Sequence, residues 1–169
     1  MQRRFLMAGG ALALALAGCA SPREEGRVPA APAGPAPLAF SHAEHAAEAG
    51  LDCLFCHGHA ARGAKANIPS ARDCFVCHWA VSDEQPEVAK IAAAIESGQP
   101  FRWPSVVRLP EHVQFDHAAH VRRGVDCATC HGDVGGMDRL VAARPLDMDF
   151  CVDCHRREDA TRDCVACHH

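Results

Sequence analysis

The sequence has no tyrosine, and aromatic residues make up only 5% of its 169 positions. Phe and Trp usually supply much of the buried area of a core, so a core made of this polypeptide alone would be thin. Long apolar runs are also missing. The longest, Phe5 to Ala17, has thirteen residues and is too short to be a good membrane span. Excess positive charge is absent too: 17 Lys and Arg stand against 21 Asp and Glu, for a net charge of −4. That balance disfavours nucleic-acid binding.

Cysteine and histidine are abundant instead, with 11 and 12 copies. Ten of the cysteines fall into five Cys-x-x-Cys-His motifs: Cys53, Cys56 and His57; Cys74, Cys77 and His78; Cys127, Cys130 and His131; Cys151, Cys154 and His155; Cys164, Cys167 and His168. This spacing is the attachment signature of c-type haem. Two thiols three positions apart reach the two vinyl groups of one porphyrin, and the next histidine becomes the proximal iron ligand. A zinc site, a redox dithiol or a disulfide framework does not require a histidine directly after every Cys-x-x-Cys pair. The motifs therefore predict five covalent haems, which serve as the core while the polypeptide wraps them. The expected fold is mostly irregular and α, haem-packed, with short helices and little or no sheet.

At the N-terminus, Gln2-Arg3-Arg4 precedes the apolar run, which closes on Leu16-Ala17-Gly18-Cys19. This resembles a bacterial lipobox, implying a signal peptide over 1–18 and a lipid on Cys19. Cleavage there removes two arginines and no acid, taking the charge from −4 to −6. The expected location is the periplasmic, extracytoplasmic side of a bacterial membrane, held by the lipid. Residues 19–38 hold five prolines and read as an extended tether spanning up to roughly 60 Å.

The rest contains a repeat. Phe40-Ser41-His42-Ala43-Glu44-His45 is echoed by Phe115-Asp116-His117-Ala118-Ala119-His120, and each leads through Gly-apolar-Asp into a Cys-x-x-Cys-His. Two modules follow: 39–80 with two haems and 113–169 with three. Between them, the connector 81–112 carries start signals at Asp83-Glu84 and Pro86 and a stop at Ser97-Gly98. Val88, Ile91, Ala92 and Ile95 fall on one face of that helix, as structural packing.

Histidines three apart on a helix lie about 60° apart around its axis. They cannot meet the same iron face, but they can serve two neighbouring haems. Phe-x-His-x-x-His ahead of Cys-x-x-Cys-His resembles the low-potential class III multihaem cytochromes. The resemblance implies that His42 pairs with His57, His45 with His78, His117 with His131 and His120 with His155. In the three-haem members of that family, the ligand of the last haem is a histidine shortly before the middle motif. Here Met148 stands near that place and is the expected distal ligand of the haem on His168, since methionine is a competent axial ligand. Met137, His112, His59, His169 or an open iron are the alternatives.

A wider resemblance covers nearly all of 38–168. It runs through Ile68-Pro69, Trp79, Arg102-Trp103, Arg108-Leu109-Pro110, Gly132, Met137, Pro145-Leu146, Met148 and Arg156, in order around the haem motifs. This order is similar to the pentahaem cytochrome subunit of alternative complex III, a quinol-oxidising membrane complex. Members of that family commonly carry a transmembrane helix where this chain carries the lipobox. The resemblance implies electron transfer without bond-making chemistry, beside other redox subunits of a membrane complex. A small cytochrome or a terminal oxidase would accept the electrons. A free-standing, lipid-tethered carrier and a multihaem enzyme are the competing classes. The enzyme would need an iron with an open position.

Overall fold

The computed structural model describes residues 36–80 and 85–168. The signal peptide, Cys19, most of the tether, Asp83-Glu84 and His169 lie outside the described residues. The rest is helical and irregular. Its α-helices are α1 (Cys53–Cys56), α2 (Ala71–His78), α3 (Pro86–Ser97), α4 (His117–Arg122), α5 (Cys127–His131) and α6 (Met148–Arg157). A π-helix spans Ala43–Glu48, and 3-10 turns span Gly58–Ala61, Val134–Gly136 and Cys164–Ala166. There is no strand among the described residues, only an isolated antiparallel bridge between Val113 and His168.

Each motif opens or completes a helical turn because an acid sits at its start. Asp52, Asp126 and Asp163 directly precede the first cysteine of motifs one, three and five. Their carboxylates accept the N–H groups of Leu54 (2.8 Å), Ala128 (2.8 Å) and Val165 (3.3 Å). These are N-caps, satisfying donors that have no partner within the helix. Motif two reaches the same end by a capping box between Ser70 and Asp73. Motif four is capped by Asp147, which accepts from Phe150 at 2.9 Å. The glycines that lead into motifs one and three, Gly50 and Gly124, have φ of 70° and 76°. This left-handed turn favours glycine and ends each histidine helix before its capping aspartate.

The two modules hold each other by exchanged hydrogen bonds. His42 and Ala43 donate their N–H groups to the Met137 carbonyl, in the loop after motif three, at 2.9 and 3.2 Å. His117 and Ala118 donate to Ala64 and Gly63, in the loop after motif one, at 3.3 and 3.1 Å. The π-helix therefore packs on the turn Val134–Gly136, and α4 packs on the turn Gly58–Ala61. Ala118, at the second contact, is 1% exposed. The Ser41 hydroxyl donates to Asp138 at 2.8 Å beside the first contact.

α3 starts at Pro86 and stops before Gly98, with Val88 and Ile91 buried. It packs on α2, and Leu38, Ala71 and Ile91 form a small core with Phe75, Ile95, Phe101 and Trp103 against it. Among the described residues only six apolar side chains are buried, three of them alanines. Trp79 is 70% exposed, and Phe55, Val76 and Val165 also face outward.

Ile91→Ala is expected to cost about 2 kcal/mol, at the low end for such truncations because this cluster borders the surface. Differential scanning calorimetry of the haem-loaded protein should show a midpoint lower by about 4 to 8 °C. With so little buried side chain, the chain made without haem attachment is expected to show no cooperative thermal transition by circular dichroism. A sharp transition there would mean that the polypeptide supplies its own core.

Candidate functional site

The histidines of the two Phe-x-His-x-x-His segments are set by one aromatic ring each. Phe40 lies edge-on to His42, at 4.9 Å and 89°, and tilted over His45, at 4.4 Å and 31°. Phe115 repeats this with His117, at 4.8 Å and 88°, and His120, at 4.5 Å and 30°. A single phenyl ring thus orients two imidazoles in different directions.

Backbone carbonyls complete the orientation. The Nδ1 atoms of His45 and His120 lie 2.9 and 2.8 Å from the carbonyls four residues back, Ser41 and Asp116. Those of His57, His117 and His155 face the carbonyls of Asn67, Ala64 and Thr161 at 2.6, 2.9 and 2.5 Å. A carbonyl accepts only, so each Nδ1 carries the proton and donates it. The lone pair is left on Nε2, the arrangement a metal-binding imidazole needs. Asn67 steadies its loop as well. Its amide donates to the Cys56 carbonyl at 3.1 Å, and its side-chain oxygen accepts the His59 N–H at 3.0 Å.

The rings then meet across space. His45 and His78 have centres 5.9 Å apart, His120 and His155 6.0 Å, and His117 and His131 6.2 Å. The first two pairs are tilted by 44° and 46°, whereas His117 and His131 are nearly parallel at 6°. A bond from a transition metal to imidazole nitrogen is about 2 Å, with the ring centre about 1 Å behind the nitrogen. Two imidazoles on opposite faces of one iron therefore have centres about 6 Å apart. The observed pairs leave room for an iron between them.

Electrostatics agree with neutral rings. Burial pushes the His42 pKa down, and the neighbouring His57 and His45 imidazoles push it further. His131 is lowered by burial, then by His117 and His57. Desolvation and like charge both disfavour the protonated ring, and only neutral imidazole ligates a metal. Burial likewise raises the thiols of Cys56, Cys74, Cys127, Cys130 and Cys151 above the usual range.

The ten motif cysteines form no disulfide. Among the described residues no group of three or more His, Cys, Asp or Glu converges as a zinc site would. The thiols instead approach one another between motifs. Cys56 neighbours Cys74 and Cys77, and Cys53 neighbours Cys127. Cys130 neighbours Cys154, and Cys151 neighbours Cys167. The motifs are thus strung through space in the order two, one, three, four, five.

Beside α2, a cleft of about 390 Å³ is lined by Arg72, Phe75, Val76, Trp79 and Ile95. It is an apolar cradle flanking motif two. Among the remaining expected residues, Met148 is the first residue of α6 and 64% exposed. The ring that faces His168 belongs to His112, at 5.6 Å and 26°. His59 lines a small cavity with Arg62, Gly63 and Lys65. What the sequence reading missed was the aspartate caps, visible as the recurrent Asp-Cys pair, and the exchange between modules, for which the sequence carries no local signal.

Residues 113–169 match the family described as cytochrome c7 and related cytochrome c. The chain is also 30% identical over 159 residues to the menaquinone reductase, multiheme cytochrome c subunit, of Nitratidesulfovibrio vulgaris (strain Hildenborough). That alignment covers 78% of this chain and 76% of the relative. The chain belongs to the multihaem cytochrome c family, and its role is electron transfer with covalently bound haem c. The residues present fit that group: paired imidazoles about one iron apart, unpaired thiols beside them, and outward apolar side chains for a porphyrin to cover.

Phe115→Ala is expected to release His117 and His120 together. Electron paramagnetic resonance of the oxidised protein should then show two low-spin signals altered, with cysteine attachment unchanged by mass spectrometry. A change confined to one signal would show that the phenyl ring does not govern both.

Proposed function

We propose that the chain carries five haems, one on each Cys-x-x-Cys-His, and serves as the electron-transfer subunit of a membrane quinol-oxidising complex. The observation that carries this reading is three imidazole pairs, His45 with His78, His117 with His131 and His120 with His155, each spaced for one iron. His57, His78, His131, His155 and His168 are the proximal ligands, and His42, His45, His117 and His120 the distal ligands of the first four haems. When bound, haem supplies one-electron redox chemistry at its iron. The polypeptide orients the imidazoles through backbone carbonyls and the Phe40 and Phe115 rings, and burial lowers the pKa of His42 and His131. Most irons then have two protein ligands, which argues against substrate chemistry at an open site.

Two resemblances support a membrane complex. The order of motifs and spacers is similar to the pentahaem subunit of alternative complex III. The relative from Nitratidesulfovibrio vulgaris is a subunit of a menaquinone reductase. That relative favours a second reading, in which electrons run toward quinone rather than from quinol. In either case Cys19 carries the lipid that tethers the chain at the extracytoplasmic membrane surface, beside the other redox subunits. A small redox protein is the partner at the far end.

The test begins with native membranes solubilised in mild detergent and separated by size, the chain being followed by haem stain and mass spectrometry. Five haems, migration in a large assembly and haem reduction by added quinol are the expected results. An assembly in which prereduced haems are reoxidised by quinone but are not reduced by quinol would reverse the direction. Migration alone, without either reaction, would leave a free-standing tethered carrier.

A further inference from the structure

We propose that His112, not Met148, is the distal ligand of the iron held by His168, making the fifth centre a bis-histidine site. The inference rests on the five-haem reading above and names a ligand from outside both Phe-x-His-x-x-His segments.

Ring geometry is the first support. The centres of His112 and His168 are 5.6 Å apart with 26° between their planes. The three measured pairs within the repeated pattern stand at 5.9, 6.0 and 6.2 Å, with tilts from 6° to 46°. The His112 pair is thus close in separation to the others and within their range of tilt.

Backbone geometry is the second. The Gln114 N–H donates to the Cys167 carbonyl at 2.7 Å, and Val113 bridges His168 in an antiparallel contact. Upstream, the Val113 N–H closes a turn on the Pro110 carbonyl at 2.9 Å. His112 is therefore held from both sides, by a turn before it and by a bridge to the fifth motif after it. Proline at position 110 stiffens that turn by fixing its own φ.

Third, the competing side chains are placed elsewhere. Met148 opens α6, the helix that carries the fourth motif. His59 lines the cavity with Arg62 and Lys65. Met137 lies in the loop whose backbone anchors His42 and Ala43, in contact with the first histidine segment rather than the fifth motif.

The test compares the haem-loaded wild-type chain with His112→Ala, His112→Met and Met148→Leu. Mass spectrometry counts attached haems, and optical and paramagnetic resonance spectra report axial ligation. The wild type and Met148→Leu are expected to give only bis-imidazole low-spin signals and negligible carbon monoxide binding. His112→Ala should keep all five haems while about one-fifth of the total becomes reactive to carbon monoxide, one open iron in five. His112→Met, which retains a ligand if the alanine variant fails to mature, should introduce the far-red charge-transfer band of methionine-ligated ferric haem. A wild-type methionine band that Met148→Leu abolishes would overturn the proposal, as would a fully loaded His112→Ala protein that stays inert to carbon monoxide. Absence of haem from Cys164 and Cys167 would remove the five-haem reading and this proposal together, and is read directly from the mass.

Discussion

Four backbone hydrogen bonds set the rest of the structure. His42 and Ala43 donate to the loop after motif three, and His117 and Ala118 donate to the loop after motif one. Each histidine helix is thereby anchored by the other module, in matching positions. The consequence for the centres is direct. The exchange brings motifs one and three together, so that Cys53 lies near Cys127 and His57 near enough to His131 to lower its pKa. It also makes the join between modules a continuous part of the haem-bearing body rather than a hinge. Without it, motif two with motif one, and motif three with its successors, would be separate strings.

A chain with few aromatic residues must place its ligands by means other than packing. Here backbone carbonyls at Nδ1, one phenyl ring per histidine pair and aspartate caps at the motifs share the task. These are short-range devices, so they work in helices of four to ten residues that would be unstable in isolation. They also fix protonation. A donated Nδ1 proton leaves Nε2 basic, and burial holds His42 and His131 neutral. The same features that shape the site therefore prepare it to accept iron.

The sequence made legible what local spacing encodes. Cys-x-x-Cys-His, the repeated Phe-x-His-x-x-His, and the Pro86 start and Gly98 stop of α3 all act within a few residues. The absence of strands among the described residues and the thin core also follow from composition. The module exchange was not legible, because His42 meets Met137 across 95 positions and His117 meets Ala64 across 53. Neither Met137 nor Ala64 carries a signature, since the contacts use their carbonyls. His112 was one candidate among several for a related reason. It belongs to no motif, and its place opposite His168 depends on a bridge between residues 55 positions apart. Met148 drew attention only because a family pattern puts a ligand near that position.

The repeat diverges in what precedes each histidine segment. Before Phe40, the chain is spent on the protein core: Leu38 is buried against α2 and α3, and the Ala39 N–H donates to Glu87 at 2.8 Å. Before Phe115, the equivalent stretch makes no such core. It carries His112 and bridges the final motif through Val113 and Gln114. α3, from the connector, packs on α2 of the first module, whereas the stretch before Phe115 pairs with the fifth motif. The small protein core lies beside the first two motifs. The polypeptide builds hydrophobic packing of its own where there is one motif fewer to supply it.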